Sequence, residues 1–217
     1  MAGRYSILII FTLSFFALQS CKKVDNTLPM IELIGPALIY HILNEEYIDP
    51  GVIVSDDTDE NIEAAPDISV NENKTGSYQV LWTVVDEAGN SAQVSRTVIV
   101  YNVADTLNGY YDGDCTKPFP SGNIFVLDNE FIFADSLQNN KIWFSTFAAY
   151  DSCYVYMIVS DSLTTIPVQT VTIVVDSAVE ISFYGVCTVG TNSFDIDFTE
   201  ANLNDTLECR TFLVKEW

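Results

Sequence analysis

Apolar and polar residues alternate along much of the chain between residues 29 and 103. In the stretch SYQVLWTVV every second residue from Tyr78 to Val84 is apolar, and the alternation continues in SAQVSRTVIVY. A period of two predicts strands that bury one face. Between the two stretches lies DEAGN, where Gly89 permits the positive φ of a hairpin turn. No helical period occurs here, so a small β-sandwich is predicted.

From residue 105 onward the pattern changes to shorter and more numerous segments. Eight β-rich runs are separated by short polar turns, and they read NIFVLD, EFIFAD, KIWFST, CYVYMIVS, VQTVTIVVD, VEISFYGVC, SFDIDFT and LECRTFLV. The stretch LNGYY before them is a candidate for a ninth. Segments of this length and alternation predict that residues 105–217 form an antiparallel barrel or sandwich.

The first twenty residues have a third pattern. Arg4 begins a short positive region, SILIIFTLSFFAL is a mostly apolar run, and Ser20 is small. This order predicts a secretory signal peptide over residues 1–20. The apolar run is shorter than the ~20 residues that a transmembrane helix needs, which makes a permanent span the weaker interpretation.

A cysteine, Cys21, follows this segment directly. The residues LQSC resemble a bacterial lipobox, in which the thiol is acylated and the chain is cut just before it. The resemblance implies lipid on Cys21 and a lipidated tether over residues 21–28; the alternative is an ordinary signal peptide with a chance cysteine. Several acyl chains exceed the ~two hydrophobic signals that stable anchoring requires. We therefore expect a lipid-anchored protein of the outer membrane, on its periplasmic or its cell-surface face.

The charge balance restricts the partners of the folded part. Nine Lys and Arg against thirty Asp and Glu give a net charge of −21. Nucleic acid is excluded as a partner because phosphate binding needs a basic face. An anionic bilayer also repels this surface, so membrane attachment has to come from a lipid or an inserted segment.

The segments YIDPGVIVSDDTDENI and TGSYQVLWTVVDEAGNSAQVSRTVIVY together resemble a family. They are similar to bacterial immunoglobulin-like domains of unknown function that occur in surface lipoproteins, modular extracellular proteins and pesticidal crystal toxins. Four elements of the family pattern are present, at Asp49-Pro50-Gly51, 56–62, Gly76-Ser77-Tyr78 and 86–90. One departure is Glu60, where the acidic loop of the family usually has glycine. The resemblance implies a fold and leaves activity open, because such domains serve as spacers, stalks and adhesive modules.

The second region resembles the small lipocalin-like β-domains that follow immunoglobulin-like modules in other lipoproteins, on strand count and domain order. The predicted fold class is therefore all-β. An immunoglobulin-like β-sandwich at 29–103 is followed by an antiparallel β-barrel or sandwich at 105–217.

With Cys21 assigned to lipid, four cysteines remain in the second region. Export through an oxidising periplasm predicts that they form two disulfides, with three possible connectivities. The four candidates are Cys115, Cys153, Cys187 and Cys209. Zinc is the rival interpretation, but no C-x-x-C pair occurs and the single histidine, His41, lies in the other region. We predict neither a metal nor a cofactor.

The sequence contains few residues that are suited to enzymatic catalysis. A Ser-His or Cys-His arrangement would have to use His41, and no nucleophile elbow or Gly-rich phosphate loop accompanies it. We expect His41 to be a surface or strand residue. Among thirty acids, carboxylate pairs arise by chance. Two acidic clusters, at 55–60 and 111–115, do not fit a calcium-binding loop and are predicted to be solvated turns.

Aromatic residues suggest one binding site. Exposed rings can stack on the apolar faces of sugars, and the candidates are Tyr110, Tyr111, Phe119 and Trp143. Two alternatives stay open: these rings belong to the core, or they line a barrel interior that holds a small apolar ligand.

One short pattern recurs more often than chance predicts. Asp, then Ser or Thr, then an apolar residue occurs five times, and it resembles an acceptor sequence for O-glycosylation of exported proteins in some Gram-negative bacteria. The acceptor residues would be Thr106, Ser136, Ser162, Ser177 and Thr206. The alternative is that Asp-Ser and Asp-Thr simply form turns before strands.

Together these features predict a non-enzymatic, lipid-anchored envelope protein. Its immunoglobulin-like module would be a spacer that presents a β-domain, which binds a glycan, a protein or a small apolar ligand. The alternative function is a structural or assembly subunit of an envelope complex. A carboxylate-dependent enzyme is a third, weaker interpretation.

Overall fold

The computed structural model describes residues 25–120, 122–160, 163–174 and 178–216. The signal peptide, Cys21 and two candidate glycosylation residues, Ser162 and Ser177, lie outside the described residues. The described chain is all-β, with an immunoglobulin-like part followed by an eight-stranded antiparallel barrel, as the alternation predicts. The predicted boundaries at 29–103 and 105–217 stay predictions.

The immunoglobulin-like part contains six strands in two sheets. The strands are β1 (Met30–Leu33), β2 (Leu38–Ile42), β3 (Val52–Ser55), β4 (Ala64–Ile68), β5 (Gly76–Val85) and β6 (Ser91–Tyr101). One sheet pairs β1 with β3, and the other has the order β2-β6-β5-β4. Strands β2 and β6 run parallel, whereas β5 and β6 are joined by the predicted turn.

The turn between β5 and β6 explains the DEAGN motif. The Asp86 carboxylate accepts hydrogen bonds from the backbone N–H and the side-chain amide of Asn90, both at 2.7 Å. Gly89 has φ +94°, in the left-handed region that glycine enters without a Cβ clash. The hairpin is therefore closed by one aspartate, one asparagine and one glycine.

The Asp-Pro-Gly motif supports a buried arginine. Arg96 on β6 is fully buried, and its guanidinium donates to the carbonyl oxygens of Ile34, at 2.8 Å, and Gly51, at 3.3 Å. Its Nε lies 3.5 Å from Oδ2 of Asp49, whose other oxygen accepts the Gly51 N–H at 2.7 Å. The aspartate of the motif thus closes the turn and supplies the counter-charge that a buried guanidinium needs.

The barrel follows a short 3-10 helix, Val103–Leu107. Its strands are β7 (Gly109–Lys117), β8 (Asn123–Ala134), β9 (Lys141–Phe144), β10 (Val155–Ile158), β11 (Thr164–Val174), β12 (Ala178–Val189), β13 (Ser193–Ala201) and β14 (Thr206–Lys215). They close in the order β10-β11-β12-β13-β14-β7-β8-β9. Each pairs antiparallel with its neighbours, so the barrel alternative of the sequence prediction is the one observed.

Two details of the strand prediction need correction. The runs NIFVLD and EFIFAD are one strand, β8, whose middle residue Asn129 has φ +59° and separates two stretches of pairing with β7. The acidic cluster YDGDC is part of strand β7 and not a turn. Asp112 in that cluster accepts the Asn129 N–H at 2.9 Å, so it stabilises the irregular pairing.

The barrel interior is filled by aromatic side chains. Phe147 packs against Phe144, Phe183 and Phe198, with ring centroids 4.9 to 5.6 Å apart. Edge-to-face pairs of this kind add stabilisation beyond the area that they bury. The alternation predicted for β13 is confirmed, since Phe194, Ile196 and Phe198 are buried.

The seam between β10 and β11 is completed by a side chain. Ile158 pairs with Thr165, and nearer the start of β10 the Gln169 amide takes the place of a neighbouring peptide group. It accepts the Tyr156 N–H at 3.0 Å and donates to the Tyr156 carbonyl oxygen at 2.9 Å. The barrel therefore remains hydrogen-bonded where β11 bulges between Ile166 and Gln169.

The described residues divide into two compact units. The first contains 25–32, Val52–Pro66 and Trp82–Val94, and the second contains Leu33–Gly51, Asp67–Leu81 and the chain from residue 95 onward. Strands of the immunoglobulin-like part contribute to both units, whereas the barrel lies wholly in the second.

Within the second unit, Asn102 joins β6 to the barrel. This fully buried side chain donates to the carbonyl oxygens of Asp135 and Gln138, at 2.9 and 3.0 Å. Its oxygen accepts the N–H groups of Ala104 and Asn140, both at 3.0 Å. One buried amide therefore satisfies four backbone groups at the junction.

The predicted disulfides are not seen. All four cysteines of the barrel are buried free thiols, namely Cys115, Cys153, Cys187 and Cys209. Three of them have no cysteine at the paired position of a neighbouring strand. Cys115 lies opposite Thr211, Cys187 opposite Ile196 and Cys209 opposite Phe198. Burial raises the pKa of Cys153, Cys187 and Cys209 to about 12, so these thiols are neutral.

Candidate functional site

The structure separates the four candidate aromatic residues. Tyr110 and Trp143 lie on the outer face of the barrel, on β7 and β9, and Tyr110 is 52 % exposed. Tyr111 points inward and is 1 % exposed, with its hydroxyl donating to the Leu107 carbonyl oxygen at 2.8 Å. Phe119 follows β7 and lies 5.4 Å from the guanidinium of Arg210. Only two of the four therefore share a candidate surface.

Three further aromatic residues join Tyr110 and Trp143 on this surface. Strand pairing places Tyr110 beside Phe131, Phe133 beside Trp143, and Trp143 beside Tyr156. We call this set the aromatic row: Tyr110, Phe131, Phe133, Trp143 and Tyr156. It crosses four adjacent strands, β7 to β10, on outward-facing positions.

Ring geometry within the aromatic row is close. The centroids of Tyr110 and Phe131 are 4.9 Å apart, and Phe131 stacks on Phe133 at 5.7 Å with an interplanar angle of 21°. Trp143 and Tyr156 are 5.2 Å apart. Phe131 is exposed, and Phe133, Trp143 and Tyr156 are half-buried. The row therefore contains two groups of rings in contact, Tyr110–Phe131–Phe133 and Trp143–Tyr156, on neighbouring strands.

One end of the aromatic row carries charged groups. The Lys141 ammonium lies 4.3 Å from the centroid of Trp143 and 4.5 Å from that of Tyr156, which is cation–π geometry. Oδ2 of Asp135 accepts the Trp143 indole N–H at 2.7 Å and lies 3.3 Å from the Lys141 ammonium. The carboxylate and the ammonium together hold the indole in one orientation.

The protonation state of Asp135 follows from these contacts. Burial raises the pKa of its carboxyl group, but hydrogen bonds from Trp143, Leu137 and Gln138 and the charge of Lys141 outweigh burial. The net pKa lies below the ordinary value for aspartate. The group is therefore an anion at neutral pH and accepts hydrogen bonds only.

The alternating pattern of the sequence could have predicted part of the aromatic row. The missed residues Phe131, Phe133 and Tyr156 occupy alternate positions in runs predicted as strands, so each could be assigned to a face with its neighbours. What the sequence could not supply is the register that places the four strands side by side. Tyr111 was misassigned although alternation predicts its position, because it directly follows Tyr110 on β7 and adjacent residues of a strand face opposite sides.

Other predicted positions are distributed over the molecule. Thr106 and Thr206 are exposed, near the end of the 3-10 helix and at the start of β14. Ser136 is exposed as well, and its carbonyl oxygen accepts the Thr75 N–H. O-glycosylation stays a prediction. His41 lies on β2, where its Nε2 is 2.9 Å from the Glu45 carbonyl oxygen. It is a strand residue, as predicted.

The first unit brings acidic side chains together. Carboxylate oxygens of Asp25, Asp56 and Asp57 lie within 4.8 Å of one another. Asp56 also accepts the N–H groups of Thr58 and Asp59, both at 3.0 Å, so it fixes the acidic loop in which Glu60 replaces glycine. Exposed carboxylates commonly gather in such loops, and this cluster supports no metal assignment by itself.

Comparison with known proteins identifies the first part of the chain. Residues 31–100 match the family of bacterial surface proteins with an Ig-like domain. No curated protein matches the chain. The family match covers the immunoglobulin-like part and indicates a protein of the bacterial cell envelope. The barrel lies outside the matched residues.

Two solved structures are similar to the chain. One is the crystal structure of a lipoprotein from Bacteroides thetaiotaomicron, with 17 % identity and a TM-score of 0.34, over 87 % of this chain and 100 % of that chain. The other contains the CBM51-2 domain in complex with GlcNAc and the INT domains of ZmpB from Clostridium perfringens. It has 15 % identity and a TM-score of 0.28, over 86 % of this chain and 44 % of that chain. Over the described residues, no helix has the length and apolar character needed to cross a membrane.

Proposed function

We propose that this protein is a non-enzymatic, lipid-anchored envelope protein whose barrel binds a glycan through the aromatic row. The observation that carries the proposal is the alignment of five outward-facing aromatic residues on four neighbouring strands. Contiguous exposed apolar surface of this kind marks interaction sites. The immunoglobulin-like part serves as the spacer between the anchor and the barrel.

A glycan fits the chemistry of the aromatic row better than a purely apolar ligand. Ring faces stack on the C–H faces of pyranoses, while hydroxyl groups need polar partners beside the rings. Lys141 is a hydrogen-bond donor and Asp135 an acceptor, and both touch Trp143. The barrel interior, which could have held an apolar ligand, is instead packed with phenylalanine rings in the described residues.

The test is a glycan array probed with the full-length protein in detergent, followed by calorimetric titration of the best ligand. Tyr110→Ala removes an exposed ring with little effect on the fold. Trp143→Ala removes the ring that the charged groups orient. We expect each variant to bind at least tenfold more weakly, equivalent to about 1.4 kcal/mol.

Phe119→Ala is the matched control, because it removes an exposed aromatic ring outside the aromatic row. It should bind as the wild type does. Equal loss in all three variants, or unchanged binding in Tyr110→Ala and Trp143→Ala, would contradict the proposed site.

The lipid anchor is a separate part of the proposal. It rests on the lipobox resemblance at Cys21 and is supported by the envelope family match at residues 31–100. Cys21→Ala should yield an unacylated protein in the soluble fraction. Intact mass of the native protein measures the acyl chains, and the same spectrum shows whether glycans are attached.

An assembly role is the second candidate. Outward positions on β8 and β14 carry exposed apolar residues on either side of Asp112 and Asp114 of β7, namely Ile124, Val126, Phe212 and Val214. A photo-crosslinker at Val126 should then capture one envelope protein reproducibly in intact cells. Capture of that protein, unaffected by Tyr110→Ala and without glycan binding, would favour assembly over the glycan function.

A further inference from the structure

A second candidate site lies on another part of the barrel, and it does not depend on the proposed glycan function. A cavity of about 240 Å³ is bounded by the first half of β8 and by the loop between β9 and β10. Its lining residues are Val126, Leu127, Asp128, Glu130, Thr146, Ala149, Tyr150 and Asp151. The lining therefore combines three carboxyl groups with apolar side chains and two hydroxyl groups.

Glu130 is the unusual member of this lining. Its neighbours on β8, Asn129 and Phe131, are exposed, whereas Glu130 is only 9 % exposed. Within the described chain, its carboxyl group has no hydrogen-bond or ion-pair partner. Buried carboxyl groups are normally paired, because desolvating an unpaired charge is unfavourable. Glu130 thus offers a largely buried carboxyl group that lines the cavity and has no partner in the described chain.

The charges around the cavity decide the sign of a ligand. Asp128 and Asp151 are exposed residues that line the cavity together with Glu130, so the lining carries three carboxyl groups. The Lys117 ammonium lies 3.8 Å from the Tyr150 ring centroid, but it is paired with Glu200 at 2.8 Å. The whole chain has a net charge of −21, which adds to the attraction of cations. An anionic ligand is excluded, and a neutral ligand would leave the negative charge uncompensated.

The separation of the carboxyl groups distinguishes an organic cation from a metal ion. A divalent cation needs several oxygens in direct contact. Among the described residues, Asp25, Asp56 and Asp57 are the one acidic set with oxygens within 4.8 Å of each other, and the cavity carboxyl groups are not part of it. An ammonium group needs only one close carboxylate, while the others act at longer range.

The size of the cavity limits the rest of the ligand. An apolar cavity of ~150 Å³ accommodates benzene, and drug-sized ligands occupy ~300 Å³ or more. About 240 Å³ therefore corresponds to a molecule of on the order of ten non-hydrogen atoms. Leu127, Ala149 and the Tyr150 ring provide apolar contact for its carbon atoms.

We propose that this cavity binds a small organic cation whose primary ammonium group pairs with the Glu130 carboxylate and whose apolar part contacts Leu127, Ala149 and Tyr150. The ammonium supplies the hydrogen-bond donor that Glu130 lacks. Asp128 and Asp151 favour the cation at the entrance.

The pH dependence of binding follows from the groups around Glu130. Burial, and then the charge of Asp151, raises the pKa of Glu130 to about 7. Tyr111 on β7 and Tyr150 in the loop are the other titratable groups nearby with Asp128, and burial raises the pKa of both tyrosines, so they stay neutral. An ammonium ligand needs the ionised carboxylate. Its affinity therefore falls as the pH drops below about 7.

The experiment titrates the full-length protein in detergent with cyclohexylammonium and, separately, with cyclohexanol, its neutral analogue of similar size. Calorimetry is performed at pH 8.5 and at pH 5.5. We expect cyclohexylammonium to bind at least tenfold more tightly than cyclohexanol at pH 8.5, and at least tenfold more weakly at pH 5.5 than at pH 8.5.

Two variants test the assignment to Glu130. Glu130→Gln keeps the shape of the side chain and should reduce the affinity for cyclohexylammonium at least tenfold at pH 8.5. Glu180→Gln, the same change at an exposed position on β12, should leave it unchanged. A thermal transition in each variant shows that the fold is retained.

The proposal is overturned if Glu130→Gln binds cyclohexylammonium as the wild type does, or if the wild type binds neither ligand. It is also overturned if calcium chloride alone shows saturable binding that Glu130→Gln abolishes, since the site would then hold a metal ion. Glycan binding should be the same in Glu130→Gln and wild type, so this outcome and that of the glycan experiment are independent.

Discussion

The immunoglobulin-like part and the barrel are stabilised by different interactions. The continuous apolar core of the molecule runs from Ala104 to Leu213 and consists of barrel residues. In the immunoglobulin-like part the buried apolar side chains are mostly small, such as Val80, Val84 and Val98, and the largest buried side chain is Arg96. The barrel therefore depends on packed volume, whereas the sheet around β6 depends on a buried charge and its acceptors. The difference predicts which substitutions each part tolerates.

The largest expected effect is the loss of a ring from the barrel core. Phe147→Ala removes contacts to Phe144, Phe183 and Phe198, and should lower the free energy of unfolding by about 3–5 kcal/mol. Denaturant unfolding measures it. Phe212→Ala, on the outer face, is the control and should cost less than about 1 kcal/mol. Equal effects would show that the interior is loosely packed.

The corresponding change in the immunoglobulin-like part is Arg96→Met. It keeps most of the volume but leaves Asp49 buried without its cation, which should destabilise by about 3 kcal/mol. Adding Asp49→Asn removes the uncompensated charge and should recover part of the loss, measured as a double-mutant cycle. If the double variant were as unstable as the sum of the single variants, the ion pair would have no role in stability.

A smaller effect is expected at the junction between β6 and the barrel. Asn102→Ala removes the amide that satisfies four backbone groups and should cost about 2–3 kcal/mol. Hydrogen exchange at Ala104 and Asn140 should accelerate in the same variant. Asn61→Ala, at an exposed position, serves as the control and should leave both measurements unchanged.

The smallest effect depends on pH. Because the pKa of Glu130 is raised to about 7 in the folded protein, folding favours the protonated carboxyl group. This contribution is fully present below the unfolded pKa and is lost as the pH rises through about 7. Relative to Glu130→Gln, the wild type should lose roughly 2 kcal/mol between pH 5 and pH 7. A constant difference between the two proteins would mean that Glu130 has an ordinary pKa.

The sequence predicted the strands well but not the pairing between them. Alternation in SFDIDFT predicted a strand with two different faces, and DEAGN predicted the turn after β5, because both signals are local. The fusion of two predicted strands at Asn129 depends on a register shift that alternation does not encode. The same limit explains the predicted disulfides, since an even number of cysteines does not reveal which residues face each other. The inward position of Tyr111, in contrast, follows from alternation, because Tyr110 and Tyr111 are adjacent in one strand.

The two candidate sites differ in how far the local sequence could predict their residues. Trp143 and Tyr110 could be proposed from sequence because they are large aromatic residues within predicted strands. Glu130 could not, since EFIFAD has apolar residues on both faces and gives no reason to place the glutamate inside. Glu130 is buried only in the folded barrel, where β7 pairs with β8 and the loop after β9 lies beside them.

The Gln169 amide has a consequence for how the barrel meets other molecules. By taking both bonds of Tyr156, it seals the seam at which an additional strand could otherwise pair. Proteins with open sheet edges recruit extended peptides, or copies of themselves, through main-chain atoms, without regard to side-chain identity. A barrel without an open edge cannot bind other chains through its main-chain atoms in this way. Selectivity must then reside in the side chains of its outer wall, where single substitutions can change the partner and leave the scaffold intact.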